Sequence, residues 1–110
     1  MQLPYDVVLF DLDGTLTRSH PGITRCAKYA LEQMGRDVSG LDLTIFVGPP
    51  LYETFRTLGL TDAEAREAIS IFRSQYVVDG WSDATVFTGI PSMLRSLRAH
   101  GAYLCIVTAK

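Results

Sequence analysis

The sequence has no apolar run approaching the ~20 residues needed to span a bilayer. Its opening, MQLPYD, has neither the basic start nor the apolar stretch of a secretory leader. These two absences lead to the expectation of a cytoplasmic protein. No sign of charge dominates either. Lys plus Arg number 10 and Asp plus Glu 12, for a net charge of −2. Such a balance gives no electrostatic footprint for nucleic acid or an anionic membrane, and neither is expected as a partner. Cysteine is scarce: Cys26 lies in a helical pattern and Cys105 in an apolar strand pattern. Neither has a second cysteine at CxxC spacing or a His at a metal-ligand offset, so reduced, buried thiols are expected, with a catalytic thiol or a disulfide as the alternatives. Repeats and low-complexity tracts are absent. At 47% hydrophobic and 20% charged, the 110 residues suit one ordinary folded domain and not a disordered chain.

What is present begins with VVLFDLDGTL, residues 7–16, where two carboxylates directly follow a run of β-formers. Continuous apolarity over Val7–Phe10 indicates a strand buried on both faces, as in a parallel sheet. A second such run, AYLCIVT at 102–108, ends in Thr108. Between them helical periodicity dominates. Ile23, Ala27, Ala30, Leu31 and Met34 share one face, with Gly35 as the stop. LDLTIFVG, 41–48, is ambiguous between strand and helix. Pro50 can open a short helix ending at Gly59. TDAEAREAISIFRSQYVVDG, 61–80, is the clearest helix: Thr61 and Glu64 form a capping box, and Ala65, Ala68, Ile69, Phe72 and Tyr76 form an apolar stripe. With Trp81, Phe72 and Tyr76 are expected in the core of this helical part. A last helix spans about 90–100, from Pro91 to Gly101.

Two parallel strands joined through a helix make a right-handed α/β crossover. About 70 residues of mostly helical chain lie inside this crossover, too many for one connection. The expected architecture is therefore a Rossmann-like α/β parallel sheet core, incomplete, with an inserted α-helical cap subdomain. Residues 1–14 and 85–110 would form the core and 15–84 the cap.

Ligands of open α/β sheets bind beyond the carboxyl ends of the strands. Asp11 and Asp13 stand at one such end and Thr108 at the other. Two carboxylates at this spacing can bind a Mg2+ ion through oxygen, supply a nucleophile for a covalent intermediate, or move a proton to a leaving group. Gly14 lets the backbone bend sharply and turn N–H groups toward an anion. The competing reading is a plain acidic turn. A calcium loop is excluded, because the further acidic positions and closing Glu are missing.

FDLDGTLT resembles the first motif, D-x-D-x-[TV], of the haloacid dehalogenase superfamily of phosphatases and phosphotransferases, and LCIVTAK is similar to its second. GITRCAKYALEQMG, FVGPPLYETF, FRSQY and VFTGIPSMLRSLRAHG follow in the order and spacing of phosphoglycolate-phosphatase-like members with a helical cap. The resemblance spans essentially the whole chain. It implies Asp11 as nucleophile and Mg2+ ligand, and Asp13 as general acid and then general base, with its main-chain carbonyl on the metal. It implies phosphate binding by the N–H groups from Leu12 to Gly14, by Thr108 and by the Ala109 N–H, and it has Thr15 brace the turn. Lys110, in a T-x-K string, either helps orient phosphate or is a surface lysine. Arg18 stands where members often carry an acid. It is either a solvated loop residue or a cation favouring an anionic substrate.

The family's third motif, a charge-offsetting Lys, and its fourth, an acidic pair completing the Mg2+ shell, have no counterpart in these 110 residues. An open apolar edge on the first strand would invite a partner strand, so the expectation is the N-terminal part of a protein roughly twice as long. The implied activity is Mg2+-dependent hydrolysis of a small phosphorylated metabolite, phosphoglycolate or nearly as readily a nucleotide monophosphate or pyrophosphate, with little turnover by this chain alone. The alternatives are a phosphomutase or other phosphotransferase, and a non-catalytic module that binds a partner through its open sheet edge. Oligomeric state is left open.

Overall fold

A computed structural model describes residues 2–108. Strand β1 (Val7–Phe10) and strand β4 (Tyr103–Ile106) pair in parallel, with Val7 opposite Tyr103 and Phe10 opposite Ile106. Between them the chain forms β2 (Thr17–Arg18), α1 (His20–Gln33), a 3-10 turn (Leu43–Phe46), α2 (Leu51–Thr57), α3 (Asp62–Val78), a second 3-10 turn (Gly80–Asp83), β3 (Thr85–Val86) and α4 (Ile90–Ala99). Helix α4 packs on β4. No described helix is long and apolar enough to cross a membrane.

The buried core sits among α1, the first 3-10 turn, α2 and α3. Ile23, Cys26, Ala27, Ala30 and Leu31 of α1 meet Phe46, Phe55, Leu60, Ala65, Ala68 and Phe72. Small residues on facing helix stripes let the helices approach closely, and Phe55 fills the centre with no exposure. Phe46 and Phe55 pack tilted, with ring centroids 4.8 Å apart. Helix α3 starts at the capping box read from the sequence: the Glu64 N–H donates to Thr61 Oγ1 at 3.2 Å, and the Thr61 N–H to Glu64 Oε1 at 3.0 Å. The ambiguous stretch at 41–48 becomes a 3-10 turn because the Asp42 carboxylate accepts from the Thr44 N–H at 3.0 Å and caps it.

The two ends of the helical part are locked together. A Cβ on Gly22 would lie 2.0 Å from the Gly80 carbonyl oxygen, and one on Gly80 would lie 2.6 Å from Cys26 Sγ. Only paired glycines allow this approach of α1 to the second 3-10 turn. Arg25 fastens the same joint, donating from Nε and Nη2 to Asp83 at 3.0 and 2.8 Å and from Nη1 to Asp79 at 3.1 Å. Strands β2 and β3 pair antiparallel, Thr17 with Val86 and Arg18 with Thr85.

Three burial expectations are corrected. Val7 and Leu9 are exposed, because the sheet they belong to has two strands and, among the described residues, no helix covers the face they share with Tyr103 and Cys105. Cys105 is therefore an exposed thiol, whereas Cys26 is buried as expected. Trp81 stands outside the core at 60% exposure, while Phe72 is buried and stacks on Tyr76.

Candidate active site

Parallel pairing of β1 with β4 brings the tips of both strands to one edge. The ladder continues past the last paired residues, the Val107 N–H donating to the Phe10 carbonyl at 2.8 Å. Asp11 follows Phe10 directly and Thr108 follows Val107 directly. The carboxylate pair and the threonine thus leave the sheet side by side, at the edge where open α/β sheets bind ligands.

After Asp11 the backbone winds into a tight turn around one acceptor. The Leu12 carbonyl receives the N–H groups of Thr15, Leu16 and Thr17 at 3.2, 3.0 and 3.2 Å. The Thr17 hydroxyl joins them at 3.4 Å. The side chain bracing this turn is therefore Thr17, while Thr15 contributes its amide and is exposed. Gly14 sits at φ 79°, a left-handed conformation that strains any residue with a Cβ. Its N–H donates to the Thr17 carbonyl at 2.8 Å. That amide is engaged within the turn, whereas the Leu12 N–H bonds the neighbouring Asp11 carboxylate at 2.9 Å. Leu16, buried at 5% exposure, anchors the turn.

The two carboxylates differ in setting. Asp11 is exposed at the strand tip. Asp13 is half-buried, and its Oδ1 accepts a 2.7 Å hydrogen bond from Ser19 Oγ. Ser19 precedes α1 in the N-cap position, yet its side chain makes no cap bond and at 2% exposure is spent on Asp13. The sequence reading missed this residue. Its signal was only a serine ahead of a helix-opening proline, which normally marks a cap. Asp13 also lines a recess with Ile23, Phe46, Gly48, Pro49, Leu51 and Phe72. Gly14 faces Val47 across this side of the turn, a Cβ there lying 3.7 Å from Val47 Cγ1.

Of the remaining candidates, Arg18 is exposed on β2 and does not line the recess. Ala109 and Lys110 lie outside the described residues. The Asp11 carboxylate and the Asp13 carbonyl are oxygen donors of the kind a hard cation such as Mg2+ takes. Among the described residues no group of three or more His, Cys, Asp or Glu gathers to complete a shell. The donor chemistry fits Mg2+, with water, phosphate or further residues left to fill the other positions.

A sequence model described as haloacid dehalogenase-like hydrolase matches residues 8–110. A 5'-nucleotidase of Pseudomonas aeruginosa is 43% identical over 110 residues, covering 98% of this chain and 50% of that protein. A protein of Mycobacterium tuberculosis named tyrosine-protein kinase PtkA is 44% identical over 105 residues, covering 94% and 36%. A phosphoglycolate phosphatase of Pseudomonas fluorescens is more distant, at 27% identity. Among solved structures, a predicted phosphatase from Clostridium acetobutylicum superposes with a TM-score of 0.89 at 39% identity, over 96% of this chain and 50% of that one. The chain spans half or less of the length of these curated relatives.

Proposed function

The chain belongs to the family of haloacid dehalogenase-like hydrolases, and from that premise we propose that its site takes part in Mg2+-dependent hydrolysis of a small phosphomonoester. The observation that carries the proposal is the delivery of Asp11, Asp13 and Thr108 to one edge by the β1–β4 pairing. Phosphatase-named relatives support the hydrolase class.

In the proposed reaction an Asp11 carboxylate oxygen attacks phosphorus, and the bond from phosphorus to the leaving alcohol's oxygen breaks. The Asp13 carboxyl gives its proton to that oxygen, releasing the alcohol and leaving an aspartyl-phosphate on Asp11. Water then attacks phosphorus while the Asp13 carboxylate takes its proton. The phosphorus–Asp11 bond breaks, inorganic phosphate departs and the Asp11 carboxylate is restored. Ser19 holds the Asp13 carboxylate in place through both steps by its 2.7 Å hydrogen bond. In this reading the Thr108 hydroxyl donates to a phosphate oxygen, the Leu12 N–H does so after giving up its bond to the Asp11 carboxylate, and Ala109 and Lys110, next in the sequence, lie beside them. Mg2+ on the Asp11 carboxylate and Asp13 carbonyl would neutralise phosphate charge, which is where most of the rate gain in phosphoryl transfer lies.

Residues 15–84 act in this reading as a cap over a core made of 1–14 and 85–110, screening the recess from water. The longer relatives have room for the charge-offsetting Lys and the acidic pair outside the matched region. The substrate is a small soluble metabolite met in the cytoplasm. The 43%-identical 5'-nucleotidase moves nucleoside monophosphates ahead of phosphoglycolate as first substrates to try.

The test is phosphate release by the whole protein with and without Mg2+. Release that needs the metal and vanishes in a folded Asp11→Asn variant supports the reading. Release that survives Asp11→Asn contradicts it. A second reading, transfer to an acceptor other than water, is favoured by the relative named a tyrosine-protein kinase. It predicts a phosphorylated acceptor with no free phosphate.

A further inference from the structure

We infer that the outer groove between α2 and α3 is a binding site of its own, for the phosphoryl group of a small molecule with an apolar body. The two helices turn different residues to their two sides. Leu51 and Phe72 line the recess beside Asp13, whereas Tyr52 and Arg73, each next in the chain, line an open groove with Arg66 and Ile69. That groove has a volume of about 430 Å³, within the roughly 300–1,000 Å³ of small-molecule sites.

The cations of the groove outnumber its carboxylate. Arg66 is held from two directions: its Nε donates to Asp62 Oδ2 at 3.0 Å, and its guanidinium lies 6.0 Å from the centroid of the Tyr52 ring. The Tyr52 hydroxyl donates to the other Asp62 oxygen at 2.5 Å, so both oxygens of that carboxylate are engaged. Arg56 adds a third guanidinium beside Tyr52, its Nη1 donating to the hydroxyl at 3.4 Å. Among the described residues Arg56 and Arg73 have no ion-pair partner, and the Nη groups of Arg66 have no hydrogen-bond acceptor. Three guanidiniums against one carboxylate make this the opposite in sign of the whole chain, whose net charge is −2.

Arg66 and Arg73 rise from one face of α3 two turns apart, about 10 Å along its axis, with half-buried Ile69 between them. Two long side chains at that separation converge on one anion above Ile69. A phosphoryl group, with three acceptor oxygens and nearly two charges, takes a guanidinium fork on each of two sides, whereas a carboxylate is filled by one. Ile69 and the Tyr52 ring then offer apolar surface to the rest of the ligand.

The experiment titrates the whole protein with phenylphosphonate, which no phosphatase step consumes, in metal-free buffer, and follows the amide and arginine Nε–H NMR signals of residues 66–73. Saturable shifts there are expected, with inorganic phosphate binding on the order of tenfold more weakly because it covers no apolar surface. Arg73→Ala should weaken phenylphosphonate on the order of tenfold, Arg73→Lys should restore only part of that, and Arg95→Ala, on α4 away from the groove, should change nothing. Absent shifts, equal affinity in a folded Arg73→Ala variant, or an equal loss in Arg95→Ala would each overturn the inference. Phosphate binding as tightly as phenylphosphonate would overturn the part played by Ile69 and Tyr52. None of these outcomes depends on Asp11 or Mg2+, so the phosphatase reading stands or falls separately.

Discussion

Replacing Ser19 by alanine isolates the contact between the helical part and the proposed proton-transfer group. The hydroxyl donates to Asp13 Oδ1 at 2.7 Å and is 2% exposed, so no water stands ready to replace it. It caps nothing on α1, so the helix loses no terminal bond. A hydrogen bond to a charged group contributes about 1.5–3 kcal/mol. If most of that holds the carboxylate in its working orientation, kcat/KM falls roughly ten- to a hundredfold. A stability loss of about 1 kcal/mol should accompany it, the usual cost of a buried hydroxyl's bond. The assay pairs phosphate release by the whole protein with urea unfolding, and adds Ser19→Thr, which keeps the hydroxyl. The expected pattern is a large rate loss in alanine, a small stability loss, and recovery of rate in threonine. A Ser19→Ala variant with unchanged kcat/KM and a lower unfolding midpoint would refute the positioning role.

Gly22→Ala places a methyl 2.0 Å from the Gly80 carbonyl oxygen; backbone must move, and unfolding should show a loss of about 3 kcal/mol, whereas a loss under about 1 kcal/mol would mean the joint is loose. Acid should weaken the helical part through Glu64. The Thr61 N–H first, and then Arg36, hold its carboxyl below the ordinary value of 4.5. Depressed in the folded state, the group stabilises the fold above that value, and the contribution is lost as pH falls through the folded value. Urea midpoints between neutral pH and strong acid should fall less steeply in Glu64→Gln than in the parent, and parallel curves would remove Glu64 from the account.

The legible parts of the fold were those carried by short-range chemistry. The Thr61–Glu64 box, the stripe Ala65–Ala68–Phe72 and the glycine after α1 declare themselves within a few residues, and each is where the sequence puts it. The β1–β4 pairing was legible because both runs are apolar and each ends in polar residues. What escaped depends on distance in the chain. Strands β2 and β3 have two residues each, too few for any alternation to register. The Gly22–Gly80 contact joins positions 58 apart, and a single glycine near a helix start reads as a loop residue. Burial of Val7, Leu9 and Cys105 was over-read, since an apolar run reports what a strand can bury and not what lies against it. At the site, Asp11, Asp13 and Thr108 were legible as strand-end residues. Ser19 was not, because only the turn around the Leu12 carbonyl brings it back to Asp13.

The most direct measurement is the site of phosphorylation during turnover. Whole protein mixed with a phosphomonoester and Mg2+, quenched in acid and digested, should yield the peptide spanning residues 7–16 carrying one phosphoryl group on Asp11. That group should be absent when Mg2+ is withheld and absent in Asp11→Asn. A phosphoryl group on another residue, or turnover with Asp11 never modified, would contradict the account.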